Sequence, residues 1–149
     1  MLPEIGKKAP AFSAKNQKEE TLTLDHYKGK KLVLYFYPKD DTPGCTAEAC
    51  DLRDHYQKFL DAGYEILGVS PDKEAKHQKF IDKYELPFDL LADTEQTVAN
   101  AYGVWVEKNM YGRKYMGIKR TTFIINEEGV LEEIIEKVKT KEHASQILK

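Results

Sequence analysis

The chain has little cysteine and arginine and no long hydrophobic run. It contains two cysteines, three arginines and one tryptophan among 149 residues. Its longest strongly apolar run, residues 32–37, is far shorter than the ~20 residues that a membrane-spanning helix needs. Residues 1–8 contain no apolar signal core. We therefore expect no membrane association and a cytoplasmic location, where disulfides are normally transient and catalytic.

Several familiar motifs are also missing. The formal net charge is -2 with no dominant basic block, which argues against a nucleic-acid partner. There is no GxGxxG or GxxxxGK[ST] phosphate loop and no GxSxG nucleophile elbow. The cysteines lack the CxxC spacing of zinc sites. The four histidines form no HxxxH pair, so we expect no metal, no cofactor and a surface position for each of these residues: His26, His55, His77 and His143.

The order of predicted elements indicates the fold class. Hydrophobic residues make up 41% and charged residues 32%, which is typical of one soluble globular domain over residues 1–149. Strands are predicted at 32–37, 64–69, 88–92, 121–126 and 130–136. Helices are predicted at 43–62, from Ser70-Pro71 to 84, at 94–102 and at 141–148. This order predicts an α/β protein: a thioredoxin-like three-layer sandwich with a central mixed β-sheet.

Residues 104–119 are the least regular part. They combine aromatic and polar residues with Gly112 and Gly117, and predict an ordered surface loop or extra strands near the active site. Their aromatic side chains can line an apolar entrance to that site.

Cys45 lies where a buried strand leads through a polar turn into a helix. Thr42 is placed to cap that helix and Pro43 to be its first residue, so Cys45 becomes the third helical residue. Unpaired backbone N–H groups and the helix dipole there favour thiolate over thiol. A free thiol titrates near ~8.5, and such positions lower that value. The alternative is that Cys45 is only a small buried hydrophobic residue.

Cys50 follows Cys45 by five residues. In a continuous helix this spacing separates the two Cα atoms by ~8.6 Å, from a rise of ~7.5 Å and a rotation of ~140°. A disulfide needs Cα atoms within about 7 Å. Either the two cysteines never bond, or the first helical turn unwinds. Cys50 can equally well be a packing residue beside Ala49.

Two arginines have candidate roles. Arg120 directly precedes the strand 121–126, and in a thioredoxin-like sandwich the start of that strand lies beside the reactive cysteine. A guanidinium there would lower the pKa of the thiol and bind a substrate oxygen. A surface salt bridge is an equally supported alternative. Arg53 is expected to make surface or helix-pair contacts.

The residues around Cys45 resemble a known family. The spacing Pro38-x-x-x-Thr42-x-x-Cys45 is similar to the PxxxTxxC signature of the peroxiredoxins, which are thiol peroxidases of thioredoxin-like fold. The fuller string 37–50 resembles the Q-type subfamily, also called bacterioferritin comigratory proteins, whose second cysteine lies five residues after the first. Similar stretches extend over nearly the whole chain: 36–53, 68–72, 83–88, 101–105, 114–118 and 120–125.

The resemblance implies a role for each candidate residue. Cys45 would be the peroxidatic nucleophile, Cys50 the resolving cysteine, and Pro38 the shielding proline, while Thr42 and Arg120 would orient and polarise the peroxide. The enzyme would reduce hydrogen peroxide and organic hydroperoxides through a Cys45 sulfenic acid and an intramolecular disulfide. A thioredoxin-type or similar dithiol protein would reduce that disulfide, with no metal or haem. The tail of dimeric peroxiredoxins is absent, which implies a monomer.

Three alternatives stay open at this point. A thiol–disulfide oxidoreductase of the same fold would normally show CxxC, and a proline where this chain has Arg120-Thr121. The cysteines can instead sense redox state for a partner, or be purely structural.

Overall fold

A five-stranded sheet organises the computed structural model, which describes residues 1–149. The strands are β1 Ser13–Lys15, β2 Thr21–Thr23, β3 Lys31–Phe36, β4 Tyr64–Ser70, β5 Asp89–Ala92, β6 Trp105–Met110, β7 Arg113–Ile118, β8 Thr121–Ile125 and β9 Leu131–Ile135. The central sheet has the order β5-β4-β3-β8-β9. Its β3–β4 and β4–β5 pairs are parallel, whereas β8 runs antiparallel to both β3 and β9. The sheet is therefore mixed, as predicted.

The helices cover both faces of this sheet. They are α1 Pro43–Asp54, α2 Tyr56–Asp61, α3 Glu74–Tyr84, α4 Thr97–Ala101 and α5 His143–Ile147, with a 3-10 helix at Leu24–Tyr27. Residues of α1, α2, α3 and α5 pack into one apolar cluster, and residues of α4 and the N-terminal segment pack into another. No helix is long and apolar enough to cross a membrane.

Strand β3 supplies both apolar clusters because successive side chains point to opposite faces of a sheet. Leu32, Leu34 and Phe36 enter the cluster on the α4 side. Val33 and Tyr35, together with Tyr37 beyond the strand end, enter the cluster that also contains Cys45. The predicted cysteine helix thus packs directly on the strand that precedes it, and the three layers confirm the predicted α/β sandwich.

The helices predicted at 94–102 and 141–148 are shorter in the structure, and two other helix predictions differ in kind. The helix expected over residues 43–62 is divided at His55, whose φ of -111° and ψ of 11° are not helical. Ser70-Pro71 does not begin a helix, since Ser70 is the last residue of β4 and pairs with Ala92. Its hydroxyl donates to Asp72 Oδ2 at 2.8 Å, so it stabilises a turn, and α3 begins only at Glu74.

The least regular part of the sequence forms a second small sheet. Strands β6 and β7 pair antiparallel from Trp105–Ile118 to Met110–Arg113, so of the two expectations for residues 104–119, a surface loop or extra strands, the second is confirmed. A third sheet, β1–β2, was not predicted. Its strands have three residues each, and such short segments give little periodic signal.

The expected surface position of the histidines is wrong for His77 and His143, which are both fully buried. His77 Nε2 lies 2.7 Å from the carbonyl oxygen of Leu91, and its Nδ1 lies 2.6 Å from Asp40 Oδ2. A buried polar ring is tolerated when both nitrogens have hydrogen-bond partners. These partners come from distant parts of the chain, so sequence spacing could not indicate them.

Gly68 provides a test of packing around β3. It pairs with Tyr35, and a Cβ atom at Gly68 would lie 2.7 Å from Leu90 Cδ2 and 2.8 Å from Tyr35 Cζ. Gly68→Ala should therefore lower the free energy of unfolding by about 1–3 kcal/mol, as measured by chemical denaturation. Gly117→Ala is the matched control, because its nearest contacts are with the flexible Lys108 side chain at 3.3 Å. Equal effects of the two substitutions would contradict the packing argument.

Candidate active site

Cys45 lies at the N-terminus of α1, at the edge of the sheet where β3 ends. Thr42 is the N-cap residue, with φ -94° and ψ 157°, and Pro43 is the first helical residue, so Cys45 is the third, as predicted. The carbonyl oxygen of Thr42 accepts from Thr46 N at 2.8 Å. The Thr42 hydroxyl does not cap the helix and instead donates to the carbonyl oxygen of Lys39 at 2.9 Å. Cys45 is only 1% exposed, so the helix terminus holds its sulfur largely away from water.

Arg120 contacts the sulfur directly. Strand β8 pairs antiparallel with β3 so that Thr121 faces Phe36, which brings Arg120 to the edge where α1 begins. Its Nη2 lies 3.3 Å from Cys45 Sγ. A Cβ atom on Gly44 would lie 3.2 Å from that same Nη2, so the glycine leaves space for the guanidinium. The expectation that Arg120 lies beside Cys45 is confirmed.

A buried carboxyl group shares the same guanidinium. Arg120 Nη1 donates to Glu48 Oε1 at 2.8 Å, and the Glu48 side chain is fully buried. Burial raises the pKa of Glu48 to about 7, although Arg120 acts in the opposite direction. Burial also disfavours the charge of Arg120, but Glu48 and Cys45 outweigh it and raise the pKa of Arg120 above its usual value. Arg120 is therefore a permanent cation that lies within hydrogen-bond distance of the Cys45 sulfur.

Sequence reasoning did not identify Glu48 or His143 as site residues. His143 Nε2 lies 3.5 Å from Glu48 Oε2 and 2.7 Å from Thr122 Oγ1. Two signals were available for the nearer residues. Residues three apart on a helix share a face, which places Glu48 with Cys45. Thr122 lies in β8 only two residues after Arg120, which places it near the same edge of the sheet. No local pattern indicated His143, which reaches the site from the last helix.

Cys50 is half-buried and lies in the same uninterrupted helix as Cys45. Both cysteines are free thiols, and burial raises the pKa of the Cys50 thiol. Since α1 runs without a break from Pro43 to Asp54, the helical spacing keeps the two Cα atoms beyond disulfide reach. A bond between these cysteines requires the start of α1 to unwind.

The other predicted residues lie around this centre. Pro38 is half-buried and follows β3 by two residues, whereas Arg53 Nη1 donates to the carbonyl oxygen of Tyr84, a helix-pair contact away from the sulfur. Lys108 of β6 has its pKa lowered by burial and by Arg120, while Cys45 opposes that shift. The β6–β7 hairpin therefore lies close enough to the site to interact with its charges.

One cluster has the residue types of a metal site. Asp40, Asp72 and His77 place one ligand atom each within 4.8 Å of the others. Those atoms already have protein partners, since Asp40 contacts His77 and Tyr37, and Asp72 Oδ2 accepts from the backbone N–H of Asp40. The cluster is best explained as a hydrogen-bonded support of the turn between β3 and α1.

Comparison with known proteins identifies the class. The AhpC/TSA family model matches residues 5–134. Peroxiredoxin Bcp of Bacillus subtilis is 51% identical over 148 residues, which is 99% of this chain and 94% of that protein. A cysteine-to-serine mutant of Xylella fastidiosa PrxQ superimposes with a TM-score of 0.92 at 32% identity, covering 99% of this chain and 94% of that one. A Xanthomonas campestris bacterioferritin comigratory protein, studied for alkyl peroxide reduction, superimposes with a TM-score of 0.87 at 39% identity. The match covers 92% of this chain and 87% of that one.

The fold is therefore that of the thioredoxin-like thiol peroxidases. The chain belongs to the AhpC/TSA family and, within it, to the Q-type or Bcp peroxiredoxins. It is accordingly a peroxiredoxin enzyme. Family membership favours a peroxiredoxin over purely structural cysteines, a pure redox sensor or a CxxC-type oxidoreductase.

Glu48 makes the stability of the fold depend on pH. Its pKa is raised from 4.5 to about 7, so between these values the folded state holds a proton that the unfolded state releases. Stability should fall as pH rises through this window, by about 3 kcal/mol in order of magnitude. Glu48→Gln should remove that loss in denaturant unfolding at pH 5 and pH 8, whereas the exposed control Glu128→Gln should keep it. If the free energy of unfolding changed with pH equally in wild type and Glu48→Gln, the raised pKa of Glu48 would be refuted.

Proposed function

We propose that this peroxiredoxin reduces hydroperoxides with Cys45 as the nucleophile and Arg120 as the group that stabilises the reacting charges. The observation that carries the proposal is the 3.3 Å contact between Arg120 Nη2 and a sulfur in the first turn of α1. The guanidinium and the helix N-terminus both favour thiolate, the nucleophilic form.

The proposed reaction transfers one oxygen atom. The Cys45 thiolate attacks the terminal oxygen of R–O–OH, so an S–O bond forms as the O–O bond breaks. Cys45 becomes a sulfenic acid, and the leaving RO⁻ takes a proton to give an alcohol, or water when the substrate is hydrogen peroxide. The Arg120 guanidinium is placed to stabilise the charge that develops on the oxygens.

Thr42 and Pro38 are proposed to orient and shield the peroxide. The Thr42 hydroxyl donates its proton to the carbonyl oxygen of Lys39. Its oxygen keeps free lone pairs and is proposed to accept from the O–H of a hydroperoxide. Pro38 offers no backbone N–H to compete for substrate oxygens. Its half-buried ring lies in the turn that leads to Cys45 and is proposed to limit water there.

Cys50 is proposed to resolve the sulfenic acid. Its thiol attacks Cys45 sulfur, water leaves, and an intramolecular disulfide forms after the first turns of α1 unwind. Local opening near a helix terminus costs little. A dithiol protein of the thioredoxin type then exchanges with this disulfide and restores both thiols. A monomeric state and a cytoplasmic location stay predictions.

Organic hydroperoxides are proposed as substrates beside hydrogen peroxide. The Xanthomonas relative is described by its alkyl peroxide reduction. In this chain the β6–β7 hairpin near the site carries exposed apolar side chains that can contact an alkyl group: Met110, Tyr115 and Met116.

The thiol chemistry can be tested by intact mass. One equivalent of hydrogen peroxide added to reduced protein should remove both thiols and two hydrogens without forming a dimer, because Cys50 captures the sulfenic acid. Cys50→Ser should instead retain one added oxygen on Cys45, and Cys45→Ser should not react. A single added oxygen in wild type would remove Cys50 as the resolving residue, and no change at all would refute the proposed role of Cys45.

Arg120 can be tested by substitution. Arg120→Met removes the only guanidinium in contact with the sulfur, so the rate of Cys45 oxidation by hydrogen peroxide should fall about 10²–10³-fold in rapid-mixing experiments. Arg120→Lys keeps the positive charge but loses the planar guanidinium that contacts two acceptors at once, so its rate of Cys45 oxidation should lie between those of wild type and Arg120→Met. Arg53→Met is the matched control, since Arg53 contacts Tyr84 and Asp54 instead. An equally large loss of oxidation rate in Arg53→Met would mean that the slower rate of Arg120→Met comes from a disturbed fold and not from the lost contact with the sulfur.

A further inference from the structure

The proposed reaction leaves the side chain of Lys108 without a role. Lys108 lies in β6, and its half-buried ammonium makes neither a hydrogen bond nor an ion pair with another protein group. The other lysine of the same hairpin, Lys114, is paired with Glu107 at 3.9 Å. Because a charge that is partly removed from water costs free energy unless it is paired, the Lys108 ammonium is a candidate for binding an anion.

The side chain of Lys108 points along the hairpin toward the active site. Lys108 is opposite Tyr115, yet a Cβ atom on Gly117 would lie 3.3 Å from Lys108 Cδ and 3.5 Å from Lys108 Cε. The stem of the lysine therefore crosses Gly117, near the end of β7. Arg120 follows that end by two residues. The missing side chain of Gly117 gives the lysine this path.

The charges that act on Lys108 are those of the active site. Burial and Arg120 lower the pKa of Lys108, whereas Cys45 acts in the opposite direction. Arg120 is already engaged with Cys45 Sγ and Glu48 Oε1, so Lys108 is a second, uncommitted cation beside this pair. An additional negative charge next to the ammonium would offset both its lost hydration and its repulsion by the guanidinium.

The face of the hairpin that carries Lys108 combines positive charge with apolar groups. Cross-strand partners share a face of a sheet, and so do residues two apart along a strand. This face therefore consists of six residues: Val106, Lys108, Met110, Arg113, Tyr115 and Gly117. It has two cations and no carboxylate, and Met110 and Tyr115 are exposed. An organic anion complements such a surface, with its apolar part on these side chains and its charge at the ammonium.

We infer that Lys108 binds a carboxylate on the organic part of the substrate, so that the enzyme prefers compact anionic hydroperoxides to neutral ones of the same size. This inference rests on the proposed function of Cys45. The substrate must be compact, because the ammonium lies close enough to Cys45 and Arg120 for their charges to interact. Arg120 would then hold the peroxide end and Lys108 the carboxylate end, which orients the O–O bond toward the sulfur.

A matched pair of substrates isolates the effect of the charge. Cumene hydroperoxide is neutral, and its para-carboxylate has the same reacting group with one added negative charge. The measured quantity is the ratio of their rate constants for Cys45 oxidation in rapid-mixing experiments, carboxylate over neutral. Wild type should give a ratio above one, and about 0.5 M salt should lower it because salt screens a partly exposed ion pair.

Substitutions test whether Lys108 is responsible for this ratio. Lys108→Met keeps the apolar stem and removes the charge, so the ratio should fall about three- to tenfold. Lys108→Arg keeps the charge and should keep the ratio above that of Lys108→Met, whereas Lys108→Glu should lower the ratio further. Lys114→Met is the matched control, because it removes the same charge from the opposite, exposed face of the same hairpin and should leave the ratio unchanged.

A binding measurement tests the same ammonium without the reaction. Cys45→Ser removes the nucleophile, and the para-carboxylate of cumyl alcohol, the product of the anionic substrate, serves as the probe. Its dissociation constant can be measured from NMR shifts of the hairpin amides. Adding Lys108→Met to Cys45→Ser should weaken binding about three- to tenfold, as for the rate ratio, and adding Lys114→Met should not.

The outcomes separate this inference from the proposed function. Equal ratios in wild type and Lys108→Met, with Cys45 oxidised by both hydroperoxides, overturn the carboxylate site alone. An equal fall in Lys114→Met overturns it too, since the net charge of the hairpin would then explain the effect. No oxidation of Cys45 by either hydroperoxide overturns the proposed function, while binding of the carboxylated alcohol still tests Lys108.

Discussion

A single guanidinium is shared by two buried groups that can each become negative. Arg120 donates to Cys45 Sγ and to Glu48 Oε1, and neither acceptor has appreciable access to water. Since a buried charge is tolerated only with a partner, the ionisation of one acceptor affects the other. The layers of the fold serve this contact: β8 brings the arginine to the edge where β3 ends, and α1 begins there with its cysteine.

The sequence predicted those parts of the site that local signals encode. The run of β-formers before the turn indicated β3, and Thr42-Pro43 indicated the start of α1, which together placed Cys45 in the first helical turn. Arg120 could be placed because the start of a strand in this topology has a known neighbour. These predictions succeeded because each depended on a few adjacent residues and on the order of the elements.

The remaining features depend on contacts between distant residues. Ser70-Pro71 looked like a helix start, but pairing with Ala92 keeps Ser70 in the sheet. His77 and His143 looked like surface residues, but Asp40 and Gln146 satisfy their ring nitrogens inside the protein. Hydrogen-bond partners that are distant along the chain decide both cases, and no propensity or short motif contains that information.

Helix α1 serves two opposed requirements. While folded, it anchors one face at successive turns: Cys45 and Glu48 to Arg120, and Asp51 to the backbone N–H of Ala144 at 2.8 Å. The proposed disulfide with Cys50 requires those first turns to unwind, which removes the Cys45 and Glu48 contacts together. Oxidation of the sulfur itself makes this easier, because a neutral sulfenic acid no longer attracts the guanidinium as a thiolate does. In the proposed reaction, the contact between Arg120 and Cys45 is thus weakened by the oxidation it promotes, and α1 becomes easier to unwind at the step that needs it unwound.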